Sequence, residues 1–218
     1  MVNVQNWKER WDKNYDNGYA AKLGNSRAID LPMHWYFSKY LFSRWREVTK
    51  EDTVLELGCG NGAVAMRVFN KVKKLTGTDI SAVAIKMIRE RFEGYTNVRF
   101  EQTTDLLSLN DTFDMIYSIT VFQHLPKEFT KQYIIDCWQI LKDKGVLFFN
   151  VLSGLQDNNT ADINFEEHGI CEPSMGFSKE EIAGICREAG FKNIEIIKME
   201  VDIPTHLFWW YWVICIKQ

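Results

Sequence analysis

Two patterns of apolar and polar positions alternate along the middle of this chain. Short apolar runs, typical of buried strands, are separated by stretches in which apolar residues recur at helical spacing. The runs predict strands over residues 53–57, 74–79, 98–102, 113–118 and 146–151, and the spacing predicts helices over 63–70, from Ser81 onward and over 127–141. Five strands joined by helices indicate an α/β fold with a mostly parallel sheet.

The C-terminal third departs from this alternation. A polar insert spans 152–176, and a helix follows from Ser178, which has Glu181 at the capping-box position. Two final apolar segments, 194–203 and 208–217, are joined by so short a connection that they must pair antiparallel. We therefore expect a seven-stranded sheet that ends in an antiparallel hairpin.

The N-terminal segment is polar and amphipathic over residues 3–16. Aromatic side chains recur there every four residues, which places them on one face of a helix: Trp7, Trp11, Tyr15 and Tyr19. A loop over 17–31 and an aromatic-rich helix over 33–47 are expected next. The aromatic stripe is either a lid over a ligand or packing.

A chain of 218 residues is long enough for one domain with additional segments attached to it. We expect that single domain to consist of four parts in chain order. These are an N-terminal helical cap or lid (1–49), a cofactor-binding core (50–151), an insert that is a candidate substrate lid (152–176) and a closing helix with the final strand pair (177–218).

The composition limits which binding partners and which cellular compartment we expect. A net charge of −3 disfavours binding to nucleic acid, and the four scattered histidines disfavour a metal site. The five cysteines include no C-x-x-C pair, which predicts reduced thiols in a cytoplasmic protein. The most apolar stretch, 207–216, is too short to span a membrane. We expect a monomer or a homodimer.

A glycine-rich turn follows the first strand and carries most of the chemical information. Gly58, Gly60 and Gly62 stand at alternate positions, where glycine permits positive φ and a close approach to a ligand. Asp79 lies 19 residues past Gly60 at the end of the second strand, where an acid binds ribose hydroxyls. This pattern predicts a nucleotide-type cofactor at the tip of the sheet.

Two cofactor classes fit the turn. Gly58, Gly60 and Ala63 also satisfy the loose dinucleotide pattern G-x-G-x-x-A, so a nicotinamide-dependent oxidoreductase is one alternative. Glu56 would repel a diphosphate and attract a cationic ligand that carries an amino group and a sulfonium. The third glycine at Gly62 and the lack of a second domain for a hydride substrate point the same way.

The ordered motifs resemble those of the class I S-adenosylmethionine-dependent methyltransferases. Residues 54–62 are similar to motif I of that family. Four later segments match further family motifs in the family's order: Asp79-Ile80-Ser81, Thr104-Asp105-Leu106, residues 113–125 and residues 141–147. The resemblance implies a Rossmann-like sandwich and S-adenosyl-L-methionine as cofactor, with S-adenosyl-L-homocysteine as product and no metal.

The resemblance also implies roles for individual residues. The three glycines, with Cys59 between them, would frame the methionine part of the cofactor, and Glu56 would contact its amino group. Asp79 would accept both ribose hydroxyls. The adenine and the methionine side would be contacted by Ile80, Asp105, Leu106, Ser118 and Ile119, and Tyr15 would cover the cofactor. Asp105 could instead cap a helix, and Ile80 could instead be a residue of the hydrophobic core.

His124 is the candidate base, since it follows the fourth strand at the ligand-binding edge of the sheet. Its alternative is a packing role behind the site. Methyl transfer needs a base only when the acceptor must lose a proton. We expect an enzyme that methylates O, N or S of a small molecule; the alternatives are an RNA or protein methyltransferase, a NAD(P)-dependent oxidoreductase, or a non-catalytic partner.

Overall fold

A computed structural model describes residues 4–16, 47–153, 175–199 and 210–218. These residues form two compact units, one that ends at Asp105 and one that begins at Leu106. Several predicted features lie outside the described residues: the 17–31 loop with Tyr19, most of the 33–47 helix, most of the 152–176 insert and the short connection before the last strand.

Three parallel strands form the sheet of the first unit. They are β1 (Thr53–Leu57), β2 (Lys74–Asp79) and β3 (Val98–Gln102), in the order β3-β2-β1 and with the predicted bounds. Leu55 of β1 and Leu75 of β2 are fully buried, as expected for apolar runs in a parallel sheet. Because the strands are parallel, the residues that follow β1 and β2 leave the same edge of the sheet.

The helices of the first unit are α1 (Val4–Asp16), α2 (Ala65–Val68) and α3 (Ala82–Arg91). Ser81 is the N-cap of α3, and its Oγ accepts a hydrogen bond from the Ala84 N–H at 3.1 Å. This cap confirms the predicted helix start at Ser81.

The predicted helix over 63–70 is wrong in its extent. α2 has only four residues and continues as a 3₁₀ turn over Phe69–Lys71. The Asn97 side chain donates to the Phe69 carbonyl at 2.8 Å, so this carbonyl is engaged from outside the helix. A long-range contact of this kind leaves no periodic signal in the sequence.

The second unit has parallel and antiparallel strand pairs. β4 (Phe113–Ser118) and the two-residue β6 (Gly176–Phe177) pair parallel to β5 (Leu141–Ser153). β8 (Trp210–Ile216) pairs antiparallel with both β5 and β7 (Asn193–Met199). The predicted closing antiparallel pair is therefore confirmed. β6 raises the number of strands among the described residues to eight instead of the predicted seven.

β5 begins five residues earlier than the predicted strand 146–151. Residues 142–145, which lie between the predicted helix and the predicted strand, belong to β5. Leu141 pairs with Phe113 of β4, and the chain end bonds to the residues that follow: Lys144 N–H donates to the Lys217 carbonyl, and Lys217 N–H donates to the Gly145 carbonyl. Lys144 has φ +61°, and the pairing of β4 with β5 shifts register after Phe113. The strand is therefore irregular at its start.

Two helices complete the second unit, α4 (Lys127–Ile140) and α5 (Lys179–Glu188). The predicted capping box of α5 is confirmed, since Ser178 Oγ accepts from the Glu181 N–H at 3.1 Å and the Glu181 carboxylate accepts from the Ser178 N–H. Gly190 follows α5 with φ +110°, as a helix-ending glycine does. No helix among the described ranges is both long and apolar enough to cross a membrane.

Candidate functional site

The turn after β1 depends on its three glycines. Gly58, Gly60 and Gly62 have φ of +72°, +50° and +84°, all in the region that disfavours side chains with a Cβ. The Gly58 and Cys59 N–H groups donate to the Thr78 carbonyl of β2 at 2.8 and 2.9 Å. The turn is thus folded against the end of the neighbouring strand.

Gly62 brings the turn against α3. A Cβ at this position would lie 2.8 Å from Ile88 Cγ1 and 3.1 Å from the Phe92 ring. Glycine is therefore required both for the backbone conformation and for the close approach of the turn to α3.

Asp79 ties the turn after β1 to the turn after β2. Its Oδ2 accepts from the Gly60 N–H and its Oδ1 from the Ser81 N–H, both at 2.9 Å. Loss of hydration raises the pKa of Asp79 to about 6, and the nearby Asp12 carboxylate adds to this, while the backbone N–H groups act in the opposite direction. Each oxygen keeps a further lone pair for a ligand.

Glu56 and Cys59 lie buried on either side of Gly58. Burial raises the pKa of the Cys59 thiol well above its usual value, and the Asp79 and Glu56 carboxylates raise it further. A neutral, buried thiol is a poor nucleophile, so the described contribution of Cys59 to the turn is its backbone N–H. Its Cβ also packs on β2, since a Cβ at Gly77 would lie 3.0 Å from it.

The N-terminal helix reaches the glycine turn through Tyr15. The Tyr15 Oη lies 2.6 Å from the position that a Cβ on Gly60 would occupy. The Tyr15 ring lies beside that of Trp11 on the same helix, with ring centroids 6.3 Å apart and ring planes tilted by 40°. The structure thus brings the predicted lid residue to the predicted cofactor turn.

Asp12 was missed by the sequence analysis. Its Oδ1 accepts from the Ser81 Oγ at 2.6 Å and from the Val83 N–H at 3.3 Å. Asp12 lies one helical turn before Tyr15 and therefore on the same face of α1. That spacing was the available signal, but nothing in the sequence indicated that its partner would be the N-cap of α3.

Ile80 and Asp105 occupy the turns after β2 and β3. The Ile80 carbonyl accepts from the Gln102 side chain at 3.1 Å, and the Ile80 side chain is partly exposed instead of lying in the core. Asp105 is exposed, and its N–H donates to Thr103 Oγ1 at 3.0 Å. Leu106 directly precedes the 3₁₀ turn Leu107–Leu109, and Asp105 lies one residue before it.

Four predicted site residues belong to the second unit. Ser118 and Ile119 are buried at the end of β4, and Leu106 is fully buried at the start of the unit. His124 is partly buried in a 3₁₀ turn over Phe122–His124.

The loop after β4 is held in an unusual conformation. Thr120 has φ +57°, and its N–H donates to the buried Asn150 Oδ1 at 2.7 Å. Gln123 is buried, with its Nε2 3.1 Å from His124 Nε2, and its carbonyl accepts from the Met175 N–H. Asn150 and Gln123 were not predicted, since both act through contacts distant in sequence or specific to this loop.

Comparison with known proteins identifies the family. A family model described as a methyltransferase domain matches residues 54–145. Over 152 residues the chain is 29% identical to the phosphoethanolamine N-methyltransferase of Plasmodium falciparum, a match that covers 68% of this chain and 56% of that relative. It is 31% identical over 171 residues to the ubiquinone biosynthesis O-methyltransferase of Glaesserella parasuis, which covers 72% of each chain.

A solved structure has the same fold. The magnesium protoporphyrin IX methyltransferase of Synechocystis PCC 6803, solved with bound S-adenosylhomocysteine, aligns with a TM-score of 0.71 at 13% identity and covers 99% of this chain and 100% of its own. The chain belongs to the class I S-adenosylmethionine-dependent methyltransferases, so the predicted class, Rossmann-like fold and cofactor are confirmed.

The described residues fit this cofactor. Asp79 is a carboxylate already oriented by two backbone N–H groups, which suits the two hydroxyls of a ribose. The three glycines give the turn the positive φ angles with which a backbone can approach a ligand closely. S-Adenosylmethionine, when bound, supplies an electrophilic methyl group on a sulfonium.

Proposed function

We propose that this enzyme transfers the methyl group of S-adenosylmethionine to an O, N or S atom of a small-molecule acceptor. The observation that carries this proposal is the similarity to relatives named for small molecules, among them phosphoethanolamine and ubiquinone biosynthesis. The first of these relatives is matched over only 56% of its length. The methyl acceptor of this chain is therefore tested directly, by the transfer of labelled methyl groups described below.

The proposed cofactor site begins at the turn after β1. The backbone around Cys59, framed by the three glycines, would contact the methionine part, and the buried Glu56 would attract its ammonium group. Asp79 would accept from the ribose hydroxyls. This assignment is supported by the positive φ of each glycine and by the fixed orientation of the Asp79 carboxylate.

The remaining cofactor contacts are assigned by position in the fold. Ile80 would pack on the adenine ring, and Asp105 would accept from its exocyclic amine. The partly exposed Ile80 side chain and the exposed Asp105 suit a role at a surface turn. The other proposed contacts are Leu106, Ser118, Ile119 and, as part of a lid, Tyr15.

His124 is the proposed base for an acceptor that must lose a proton. The Gln123 side-chain amide lies 3.1 Å from His124 Nε2, a contact that supports a fixed orientation of the imidazole ring. A neutral imidazole is the form that can take up a proton. Alignment of the acceptor lone pair with the methyl group supplies the rest of the acceleration.

Calorimetry with S-adenosylhomocysteine tests the cofactor site. We expect the wild-type chain to bind it, Asp79→Asn to bind at least about tenfold more weakly through loss of hydrogen bonds to a charged group, and the exposed-site control Asp143→Asn to match wild type. NAD should not bind. Equal affinity in Asp79→Asn and wild type would remove Asp79 from the site.

Transfer of labelled methyl groups tests the acceptor class. The enzyme is incubated with methyl-labelled cofactor and with separate panels of amines and phosphorylated amino alcohols, phenols, carboxylic acids, bulk tRNA and bulk protein. We expect labelled product in one small-molecule panel. We also expect His124→Asn to lower kcat while the affinity for S-adenosylhomocysteine stays unchanged. Label found only in tRNA or protein would overturn the small-molecule proposal.

A further inference from the structure

Helix α1 contacts both of the turns proposed to hold the cofactor. Tyr15 lies on the turn after β1, with its Oη 2.6 Å from the Cβ position of Gly60. Asp12 lies on the turn after β2, where it accepts from Ser81 and Val83. The two contacts come from side chains one helical turn apart, so one face of α1 bridges the two turns.

The contact of Asp12 with Ser81 is specific. The Ser81 hydroxyl donates its single hydrogen to Asp12 Oδ1 at 2.6 Å and uses a lone pair to accept from the Ala84 N–H. Asp12 also accepts from Val83 in the first turn of α3, where a carboxylate is favoured by the helix dipole. A helix 69 residues away in sequence thus supplies a second cap to α3.

Ser81 also connects Asp12 to the proposed ribose acid. Its N–H donates to Asp79 Oδ1, while its hydroxyl donates to Asp12. The Asp12 carboxylate is close enough to Asp79 to affect its acid–base behaviour. Displacement of Asp12 would therefore alter the hydrogen bonding of the residue that orients Asp79.

Specific polar contacts, more than core packing, hold α1 in place. Among its residues 6–16, no side chain is fully buried. A helix of 13 residues is marginally stable in water by itself, so it needs such contacts to remain helical on the unit. Loss of one contact should release α1 without unfolding the sheet beneath it.

We propose that Asp12 is a positioning residue for the cofactor: it holds α1 on the first turn of α3 and so keeps Tyr15 over the glycine turn. A ligand that spans the two turns lies under this helix, and α1 must move away before the ligand leaves. The inference rests on the proposed assignment of Asp79 and the glycine turn to the cofactor. Asp12 acts through α1 and Ser81, without contacting reacting atoms.

Dissociation kinetics of S-adenosylhomocysteine from the full chain test this role. We expect Asp12→Ala to raise the dissociation rate about tenfold, the effect of losing a hydrogen bond to a charged group, with little change in association. Asp12→Asn keeps an accepting oxygen and should fall between Asp12→Ala and wild type. The matched control is Asp16→Asn, an exposed carboxylate one turn further along α1, which should behave as wild type.

Hydrogen exchange of α1 gives a second readout that a purely structural role would not move. S-Adenosylhomocysteine should protect the amides of residues 4–16 in wild type and protect them less in Asp12→Ala. Unliganded Asp12→Ala should lose only about the stability of one helix cap in thermal unfolding, since Asp12 also accepts from Val83 in the first turn of α3. In the Ser81→Ala background, the further change Asp12→Ala should raise the dissociation rate less than it does in the wild-type background, because the Ser81 hydroxyl from which Asp12 accepts is already absent.

The outcomes separate this inference from the function on which it rests. Failure of the wild-type chain to bind S-adenosylhomocysteine would contradict the proposed cofactor site. Wild-type binding together with unchanged dissociation and unchanged α1 protection in Asp12→Ala would overturn the positioning role alone. Unchanged dissociation in Asp12→Ala beside a lower melting temperature of the unliganded chain would also overturn it, since Asp12 would then contribute to stability alone.

Discussion

Asp79 titrates near the lower end of the physiological range, and this makes cofactor affinity depend on pH. Its pKa is raised to about 6, chiefly by loss of hydration. The charged form accepts hydrogen bonds from a ribose best, so we expect affinity for S-adenosylhomocysteine to fall as the pH is lowered through about 6. Calorimetry between pH 5 and pH 8, values that span the Asp79 pKa, measures this.

The control for this prediction is Asp79→Asn, which should bind weakly with no such pH dependence. A second control is His124→Asn, which leaves Asp79 in place and should retain the dependence. The charged and titratable groups near Asp79 are Asp12 on α1 and, through Cys59, Glu56 on β1. The opposite trend, tighter binding at lower pH, would contradict the proposal that ionised Asp79 binds the ribose.

The raised pKa of Asp79 also determines how the stability of the unliganded chain changes with pH. Asp79 is protonated in the folded state up to about pH 6, whereas in the unfolded chain it loses its proton near pH 3.8. The folded state therefore binds more protons between these values, and the Asp79 contribution to stability is lost as the pH rises through about 6. The Asp79 carboxyl thus reduces stability at neutral pH.

Gly60 faces two separate constraints, and a pair of substitutions separates them. Gly60→Ala should cost about 1–2 kcal/mol of unfolding free energy because φ is +50°. It should also weaken cofactor binding by displacing Tyr15, whose Oη lies 2.6 Å from the new Cβ. Denaturant unfolding and calorimetry measure the two effects.

Tyr15→Phe is the partner variant, because it removes the Oη and leaves Cζ at an ordinary 3.7 Å from the Cβ position. Combined with Gly60→Ala, it should recover the part of the loss due to the contact, while the backbone strain stays. Strict additivity of the two substitutions would show that Tyr15 does not rest on Gly60 in solution.

At the scale of elements, the signals that succeeded were local. β1, β2, β3 and β4 have the predicted bounds; the interiors of β1 and β2 are buried and that of β4 is largely buried, whereas in β3 only Phe100 is buried. The Ser81 and Ser178 caps were predicted because a cap and its partner lie within three residues. The glycine turn was predicted for the same reason, as three positive-φ positions close together.

The elements that differed from prediction depend on partners far along the chain. β5 begins at Leu141, which pairs with Phe113 of β4, and the Lys217 backbone bonds to Lys144 and Gly145. The carbonyl of Phe69, the residue after α2, accepts from the Asn97 side chain. β6 has only two residues, too few for a periodic pattern to show. Hydropathy patterns report burial and repeat length, and they hold no information about which distant residue donates to which carbonyl.

Helix α5 offers a test of two opposing local effects in one element. Ser178→Ala removes the capping box and should cost about 1 kcal/mol of unfolding free energy. Gly184→Ala lies in the interior of the same helix, where a Cβ would meet nothing within 4 Å, and should stabilise the protein by about 0.5–1 kcal/mol.

Urea unfolding of both variants and of the double variant measures these effects. The free energy of unfolding of the double variant should lie close to that of wild type, because one change destabilises the helix and the other stabilises it. Destabilisation by Gly184→Ala would mean that position 184 is more crowded than the structure indicates. Cofactor affinity should stay unchanged in both variants, since neither residue belongs to the proposed site.

At the scale of the whole molecule, the unpredicted contacts have a similar position in the fold. Asp12 joins α1 to the start of α3, and within the second unit Met175 joins the residues before β6 to the loop that carries Gln123 and His124. Each contact joins a segment outside the regular alternation to a turn at the end of a strand. The alternating core is thus the predictable part, and the attachment of the covering segments is specific to this chain.

Buried thiols in both units make cofactor binding measurable across the molecule. Cys59 lies buried in the first unit, and Cys137, Cys186 and Cys215 lie buried in the second. A thiol reagent reaches such residues only through local or global opening, so their labelling rates report the open population. The Cys171→Ser variant, which removes the cysteine outside the described residues, leaves these four as the reacting groups.

We expect S-adenosylhomocysteine to slow the labelling of Cys59 by about 100-fold when its concentration is 100 times the dissociation constant, because opening of the glycine turn releases the ligand. Peptide mass spectrometry after timed labelling measures each cysteine separately. Cys137 serves as the internal reference: equal slowing there means that the two units open together, and no slowing means that they open separately. Labelling of Cys59 at an unchanged rate in the presence of bound ligand would place the cofactor away from the turn after β1.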